Sequence, residues 1–273
     1  MKLTPILSIG LAAMVAACGL DLGNTTSRGD EYATVVSKAE EARKAGDFDS
    51  AIPLYGRALQ ADPDGREAKV GLGLAYLSTD AADQAAPLFR EVLASRGSDA
   101  AARRGLARAL IAMGQPTLAE RQLDILLRAD ARDFRALNAM GVVLDMEGRH
   151  AEAQVRYREG IEVQPDYMPL RNNLGLSLAI SGEYQAAIAV LVPIAGVRGG
   201  DGRARQNLAF AYAMAGDLEN ALQLSRVDLN ESSAQQQLSY FMRLRSLPVA
   251  ERSAELRRNP SFFPQSSGGA YTP

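Results

Sequence analysis

An alanine that recurs at one fixed interval limits the fold of this chain more than any other feature of its sequence. The series continues through six members without insertion or deletion: Ala51, Ala85, Ala119, Ala153, Ala187 and Ala221. A constant period of this length is typical of proteins that stack one small supersecondary unit many times along a single axis. The sequence therefore predicts a repeat protein rather than a single globular core.

Three further columns of residues keep the same period, and each has a mechanical meaning. A glycine column lies where one helix must end, because glycine adopts the left-handed backbone conformation without a steric penalty. A column of small residues and a column of large apolar residues let neighbouring helices pack closely. The glycine column is Gly46, Asp80 (the exception), Gly114, Gly148, Gly182 and Gly216; the small column is Ala39, Gly73, Ala107, Gly141, Gly175 and Ala209; the large column is Tyr55, Phe89, Leu123, Tyr157 and Leu191, lapsing to Ser225.

Composition agrees with helices and excludes several functions. Apolar residues recur at helical spacing within each unit, and only 6% of residues are aromatic. One Cys and one His cannot build a Cys/His metal cage or a disulfide framework. A formal net charge of −2 gives no basic stripe for a nucleic-acid backbone.

The columns resemble those of the tetratricopeptide repeat, a helix–turn–helix unit of about 34 residues. The resemblance implies an all-α fold, a right-handed α-solenoid of about six repeats covering residues 32–233. We expect residues 234–247 to form a capping helix, because the end of such a stack needs a lid, and residues 248–273 to be a mostly disordered tail.

The N-terminus has the features of a secretory signal. Residues 1–17 combine Lys2 with a short apolar stretch, which is too short for a permanent membrane span. The run Val15-Ala16-Ala17-Cys18 resembles a bacterial lipobox, in which Cys18 becomes the lipidated first residue, with palmitate among its acyl chains. A plain signal that leaves Cys18 as an ordinary thiol is the alternative. Residues 18–31 then form a flexible tether, and by resemblance Gly19 favours the periplasmic face of the outer membrane.

The sequence offers no convincing catalytic group, metal site or cofactor site, and we predict a protein that is not an enzyme and takes no small-molecule substrate. His150 lies in a predicted turn without a Cys or second His partner, so we expect it to be solvated. Asp47–Asp49, Asp62–Asp64 and Asp130–Asp133 lie at helix ends, where aspartate is favoured as a cap. The glycine-rich run 196–202 lacks the Lys-Ser/Thr of a phosphate-binding loop.

The remaining candidate is a groove for a peptide or helix. By resemblance to the family, it is lined by residues of the first helix of each repeat. Asparagine amides can bind a ligand backbone, apolar residues can take its side chains, and arginines favour an acidic stretch. The alternative is that the apolar members belong to the helix core. The predicted groove residues are Arg104, Arg108, Arg135, Asn138, Val142, Asn172, Asn173, Leu176, Gln206, Asn207 and Phe210.

A lipobox followed by tetratricopeptide repeats resembles the TadD-type lipoproteins of Flp (tight-adherence) pilus assembly. The strings that carry this likeness are Arg205-Gln206-Asn207-Leu208-Ala209, the Gly216-Asp217 turn, Ser225-Arg226-Val227-Asp228-Leu229 and Leu238-Ser239-Tyr240-Phe241-Met242-Arg243. The resemblance implies a scaffold that binds a segment of the pilus secretin or of a neighbouring periplasmic component. A scaffold for outer-membrane β-barrel assembly or for cell-wall hydrolases is the alternative.

The lipid anchor predicts a simple loss of localisation. Cys18→Ala removes the only thiol that can be acylated, so the protein should move from the membrane pellet to the soluble periplasmic fraction. Fractionation with immunoblotting measures this, with Thr25→Ala in the tether as the control. Membrane retention of the Cys18→Ala protein at the wild-type level would contradict lipidation.

Overall fold

The computed structural model describes residues 28–196, 202–248, 251–252 and 255–256. Within these residues the chain forms thirteen α-helices and no β-strand, which confirms the all-α prediction. The helices are α1 Arg28–Lys44, α2 Phe48–Ala61, α3 Arg66–Ser78, α4 Ala82–Ser95, α5 Ala100–Ala112, α6 Pro116–Ala129, α7 Phe134–Met146, α8 His150–Val163, α9 Met168–Ser181, α10 Tyr184–Ala195, α11 Gly202–Ala215, α12 Leu218–Asp228 and α13 Glu231–Ser246.

The helices pack in chain order as a continuous stack. Each helix lies against the next, and each odd-numbered helix also contacts the following odd-numbered helix. Among the described residues, even-numbered helices make no comparable contact with one another. The odd-numbered helices are therefore closer together, and their shared surface away from the even-numbered helices is called the inner face below.

The turn inside each helix pair depends on a left-handed residue. Five glycines of the predicted column have positive φ, from 67° at Gly114 to 99° at Gly216. Asp80, the predicted exception, adopts the same conformation with φ of 57°. Aspartate is among the non-glycine residues that tolerate this region best. The geometry of the turn is thus kept in the unit that lacks the glycine.

Large side chains of the even-numbered helices fill the spaces beside small residues of the odd-numbered helices. Phe89 of α4 is fully buried, and its ring occupies the positions where side chains on Gly73 of α3 and Gly105 of α5 would begin. Tyr157 of α8 covers Gly141 of α7 in the same way. The two columns predicted from the sequence are therefore the two sides of one packing contact.

The N-terminal end of the stack begins earlier than predicted. Helix α1 begins at Arg28, so the last four residues of the predicted tether 18–31 are helical. At the other end, α13 packs against α11 and α12. None of the helices in the described part of the chain is long and apolar enough to cross a bilayer.

Two residues of the predicted tail 248–273, Arg252 and Leu256, are buried. Leu256 is fully buried, and Arg252 is 8% exposed. The Arg252 guanidinium donates to the carbonyls of Leu244 and Leu247 at 3.0 and 3.1 Å and to the Tyr184 hydroxyl at 2.7 Å. It thereby adds a donor to carbonyl groups at the C-terminal end of α13, where the Leu244 carbonyl also accepts the backbone N–H of Leu247. Cys18 and the tail beyond Leu256 lie outside the described residues.

The close approach between α7 and α8 can be tested with one methyl group. In Gly141→Ala the new Cβ overlaps the Tyr157 ring, and overpacking of this kind costs about 1–3 kcal/mol, more than the gain in helix propensity of about 1 kcal/mol. We expect a lower midpoint of urea unfolding.

Gly56→Ala is the matched control, because Gly56 is also within a helix and a Cβ there meets no atom within 4 Å. It should stabilise the protein by about 0.5–1 kcal/mol. A stabilising Gly141→Ala would contradict the packing described here.

Candidate functional site: the inner face of the stack

The predicted groove residues lie on four consecutive odd-numbered helices. Because equivalent positions are one repeat apart, the period brings them to equivalent faces of those helices. Their side chains are nevertheless not equally accessible. The helices and their groove residues are α5 with Arg104 and Arg108, α7 with Arg135, Asn138 and Val142, α9 with Asn172, Asn173 and Leu176, and α11 with Gln206, Asn207 and Phe210.

Four asparagines form hydrogen bonds from helix to helix, an arrangement called the amide ladder here. Asn173 of α9 donates through Nδ2 to Oδ1 of Asn138 of α7 at 2.9 Å. Asn207 of α11 donates in the same way to Asn172 of α9, also at 2.9 Å. The sequence showed asparagines at two adjacent repeating positions, but their mutual bonds were missed. The sequence signal for such bonds is a pair of asparagines 35 residues apart, one more than the repeat length.

The amide ladder fixes how the partly exposed amides are oriented. Oδ1 of Asn138 and of Asn172 accepts a bond from the next helix, so the NH₂ group of each is left as a donor. Both side chains are half-buried rather than buried. Gln206 continues their column at half-buried exposure. The inner face therefore offers a row of amide groups to the backbone of an extended or helical ligand.

Three apolar residues of the predicted groove are part of the core instead. Val142 and Leu176 are buried, and Phe210 is 0% exposed. The Phe210 ring meets the ring of Phe241 of α13 edge-to-face, with centroids 5.5 Å apart. These residues correct the prediction, because α13 and the neighbouring helices use the apolar surface that we assigned to a ligand. The polar atoms of Asn173 and Asn207, also buried, are used in the amide ladder.

The arginines of the inner face are integrated into the stack. Arg104 pairs with Asp133 at 2.8 Å, and the same carboxylate caps the start of α7 by accepting backbone N–H groups. The Arg135 guanidinium lies 4.5 Å from the centre of the Phe134 ring. Arg108 is half-buried. The α5–α7 part of the inner face thus combines positive charge with an aromatic ring, whereas the α9–α11 part presents amides.

A buried carboxylate joins α7, α8 and α9. Asp145, 5% exposed, accepts hydrogen bonds from Ser177 Oγ at 2.7 Å and from the Tyr157 hydroxyl at 2.9 Å. His150 Nδ1 lies 2.8 Å from the same carboxylate. The expectation of a solvated His150 is therefore wrong, since its side chain is 15% exposed and bonded. The sequence signal for this cluster was missed: Asp145 is a charged residue between the apolar Leu144 and Met146, and it lies twelve residues before Tyr157.

This cluster contains Ser, His and Asp but cannot activate the serine as a nucleophile. A triad needs the serine to donate to the imidazole that the aspartate orients. Here Ser177 donates to the aspartate itself. The hydrogen bonds of Asp145 instead connect α7 with α8 and α9. The described residues also contain no cluster of three His, Cys, Asp or Glu side chains that could hold a metal ion.

Comparisons with known proteins agree with this architecture. Two family models for the tetratricopeptide repeat match the chain, over residues 36–101 and 77–142. The crystal structure of PilW, a widely conserved type IV pilus biogenesis factor, superposes with a TM-score of 0.66 at 17% identity, covering 77% of this chain and 97% of that one. The chain has the all-α tetratricopeptide-repeat fold.

Two further proteins resemble it. The solved structure of PilF from Pseudomonas aeruginosa gives a TM-score of 0.62 at 17% identity, covering 78% of this chain and 99% of PilF. The uncharacterized protein y4yS of Sinorhizobium fredii is 46% identical over 87 residues, which is 32% of this chain and 47% of the relative. The chain therefore matches about half the length of that curated relative.

The buried carboxylate predicts a particular pH dependence. Burial raises the pKa of Asp145 and outweighs its hydrogen bonds to His150, Ser177 and Tyr157, which lower it. The folded protein therefore takes up this proton at a higher pH than the unfolded chain does. The contribution of Asp145 to stability must then grow as the pH falls through its raised pKa.

The variant Asp145→Asn has no carboxyl group at this position, so it cannot take up a proton there as the pH falls. We expect the free energy of unfolding of the wild type, relative to that of the variant, to increase as the pH falls from neutrality toward the ordinary pKa of an aspartate. Urea unfolding followed by far-UV circular dichroism measures this difference. A difference that shrinks as the pH falls would show that Asp145 is held as a stabilised carboxylate instead.

Proposed function

We propose that this protein is a non-enzymatic scaffold, held under the outer membrane by a lipid on Cys18, that assembles a Flp-type pilus secretion apparatus. Its inner face binds an extended or helical segment of the secretin or of a neighbouring periplasmic component. The observation that carries the proposal is the amide ladder, which holds a row of half-buried NH₂ groups on consecutive odd-numbered helices.

The amide groups suit a protein segment better than a small molecule. Donors on α7, α9 and α11 are spaced along the stack, so an extended ligand can contact several of them at once. Amide donors bind main-chain carbonyls of any sequence, whereas neighbouring side chains supply selectivity. The positive charge near α5 and α7 favours a segment with an acidic or carboxylate-bearing stretch at that end.

Two likenesses support a pilus role. PilW, described as a type IV pilus biogenesis factor, shares the fold over nearly its whole length. The sequence strings around Gln206, Asp228 and Phe241 resemble those of Flp pilus assembly lipoproteins. A tether at the membrane would raise the local concentration of the scaffold beside an outer-membrane ring, so moderate affinity would be enough.

Site-specific crosslinking tests the groove directly. A photo-crosslinking amino acid at Gln206 should capture a pilus component in cells, because the side chain lies half-buried on the inner face. The same amino acid at Arg158, which is exposed on α8, is the control and should not give that product. Capture of the same proteins from both positions would contradict binding at the inner face.

A deletion strain tests the assembly role. Loss of the protein should abolish secretin multimers and surface pili, while β-barrel proteins of the outer membrane fold normally. Semi-native gels for the multimers and electron microscopy for the pili measure the two effects. Persisting pili with defective β-barrel proteins would instead favour a scaffold for barrel assembly.

A further inference from the structure

One even-numbered helix differs from all the others in its charge. Helix α10 contains no charged residue, whereas α2, α4, α6, α8 and α12 each contain at least one acidic and one basic residue. The even-numbered helices form the outer side of the stack, where charged side chains keep the surface hydrated and prevent apolar patches. This arrangement is interrupted at α10.

The exposed side of α10 is apolar. Four of its exposed residues are Ala186, Ala189, Val192 and Pro193, and the Val192 side chain is 47% exposed. Their spacing of three and four residues places them on one side of the helix. These four residues are called the α10 face below.

Exposed apolar residues on the neighbouring outer helices are surrounded by charge. Val155 of α8 is 49% exposed, but the exposed Glu152 and Arg158 lie one helical turn away on either side. Ile125 of α6 is 44% exposed and has the exposed Arg128 three residues away. The α10 face has no such neighbours within its own helix, so it is better suited to an apolar partner.

After α13 the chain turns back toward α10. Arg252 donates to the hydroxyl of Tyr184, the first residue of α10, at 2.7 Å. Glu255 pairs with Arg243 of α13 at 2.8 Å, and Leu256 is fully buried within the main apolar core of the stack. The residues that follow Leu256 therefore leave the structure close to the helix that lacks charge.

The following residues, 257–273, match the α10 face in chemistry and are called the terminal segment here. The last fifteen of them have no charged side chain. Phe262 and Phe263 lie between Pro260 and Pro264. Proline disfavours a helical conformation of the residue before it, so the sequence predicts an extended stretch around the two phenylalanines.

The terminal segment is long enough to reach the α10 face. From Tyr184 to Val192 a helix rises by about 12 Å. Ten residues separate Arg252 from Phe262, and an extended chain of that length spans up to about 33 Å. This leaves enough chain for Phe262 to lie over Val192, even though the contact between Arg252 and Tyr184 joins two long side chains.

We propose that Phe262 and Phe263 of the terminal segment dock on the α10 face of the same chain. Both surfaces are apolar and uncharged, and the contact between Arg252 and Tyr184 brings the segment to the start of α10. Docking within one chain also has the advantage of a high effective concentration. The α10 face belongs to an even-numbered helix, so the proposal is independent of ligand binding at the inner face.

A single tryptophan can report on the α10 face, because the natural chain contains none. In the full chain, purified without free detergent, the fluorescence of Val192→Trp should shift to longer wavelength when Phe262→Ser and Phe263→Ser are added. Arg158→Trp, one repeat earlier on α8, is the control and should not respond to the two serines. Equal emission of Val192→Trp with and without the serines would overturn the proposal. A shift that disappears on dilution would overturn it in favour of docking between two copies.

Limited proteolysis tests the same contact without an added aromatic ring. Chymotrypsin cleaves after phenylalanine, and cleavage between Phe262 and Phe263 requires the undocked segment. Val192→Lys puts a charge on the α10 face and should accelerate this cleavage by about tenfold, because the rate follows the undocked population. Val155→Lys, at an equally exposed valine of α8, is the control and should be cleaved at the wild-type rate. Cleavage of the wild type as fast as that of a folded Val192→Lys would overturn the proposal and leave the α10 face to a partner protein.

Discussion

The contact between a large side chain of α2, α4, α8 or α10 and a glycine of a neighbouring odd-numbered helix determines how closely these helices approach. Phe89 fills the space beside Gly73 and Gly105, so one ring sets the distance between α3, α4 and α5. Interiors packed this closely do not accept an extra methyl group without a shift of backbone. Because contacts of this kind recur along the chain, they set the separation of the odd-numbered helices that form the inner face.

Hydrogen bonds add a second set of connections between the helices that these apolar contacts hold together. Where the large residue is a tyrosine, its hydroxyl finds an acid on the preceding odd-numbered helix. Tyr55 donates to Glu40 at 2.6 Å, and Tyr157 donates to Asp145 at 2.9 Å. A buried hydroxyl without a partner would be costly, which explains why these two units carry acids there. The amide ladder uses the same spacing on the inner face.

The sequence period was enough to predict the helices, their turns and the packing columns, because these depend on contacts that repeat. It could not show which inner-face residues are covered. Phe210 occupies a groove position by count, yet α13 buries it, since the last unit is followed by a helix with Phe241 in contact. Arg252 was assigned to a disordered tail because its partners on α10 and α13 are distant or non-repeating. Contacts that occur once cannot be read from a period.

The central claim is that the amide groups of the inner face bind a segment of a pilus component. Asn138→Asp with Asn172→Asp tests it most directly, because each aspartate keeps the oxygen that the amide ladder needs and loses the free NH₂ donor. The affinity for the purified secretin is measured by isothermal titration calorimetry. The account predicts a loss of about tenfold or more from two missing hydrogen bonds, with helix content unchanged. An unchanged affinity in a folded double variant would contradict it.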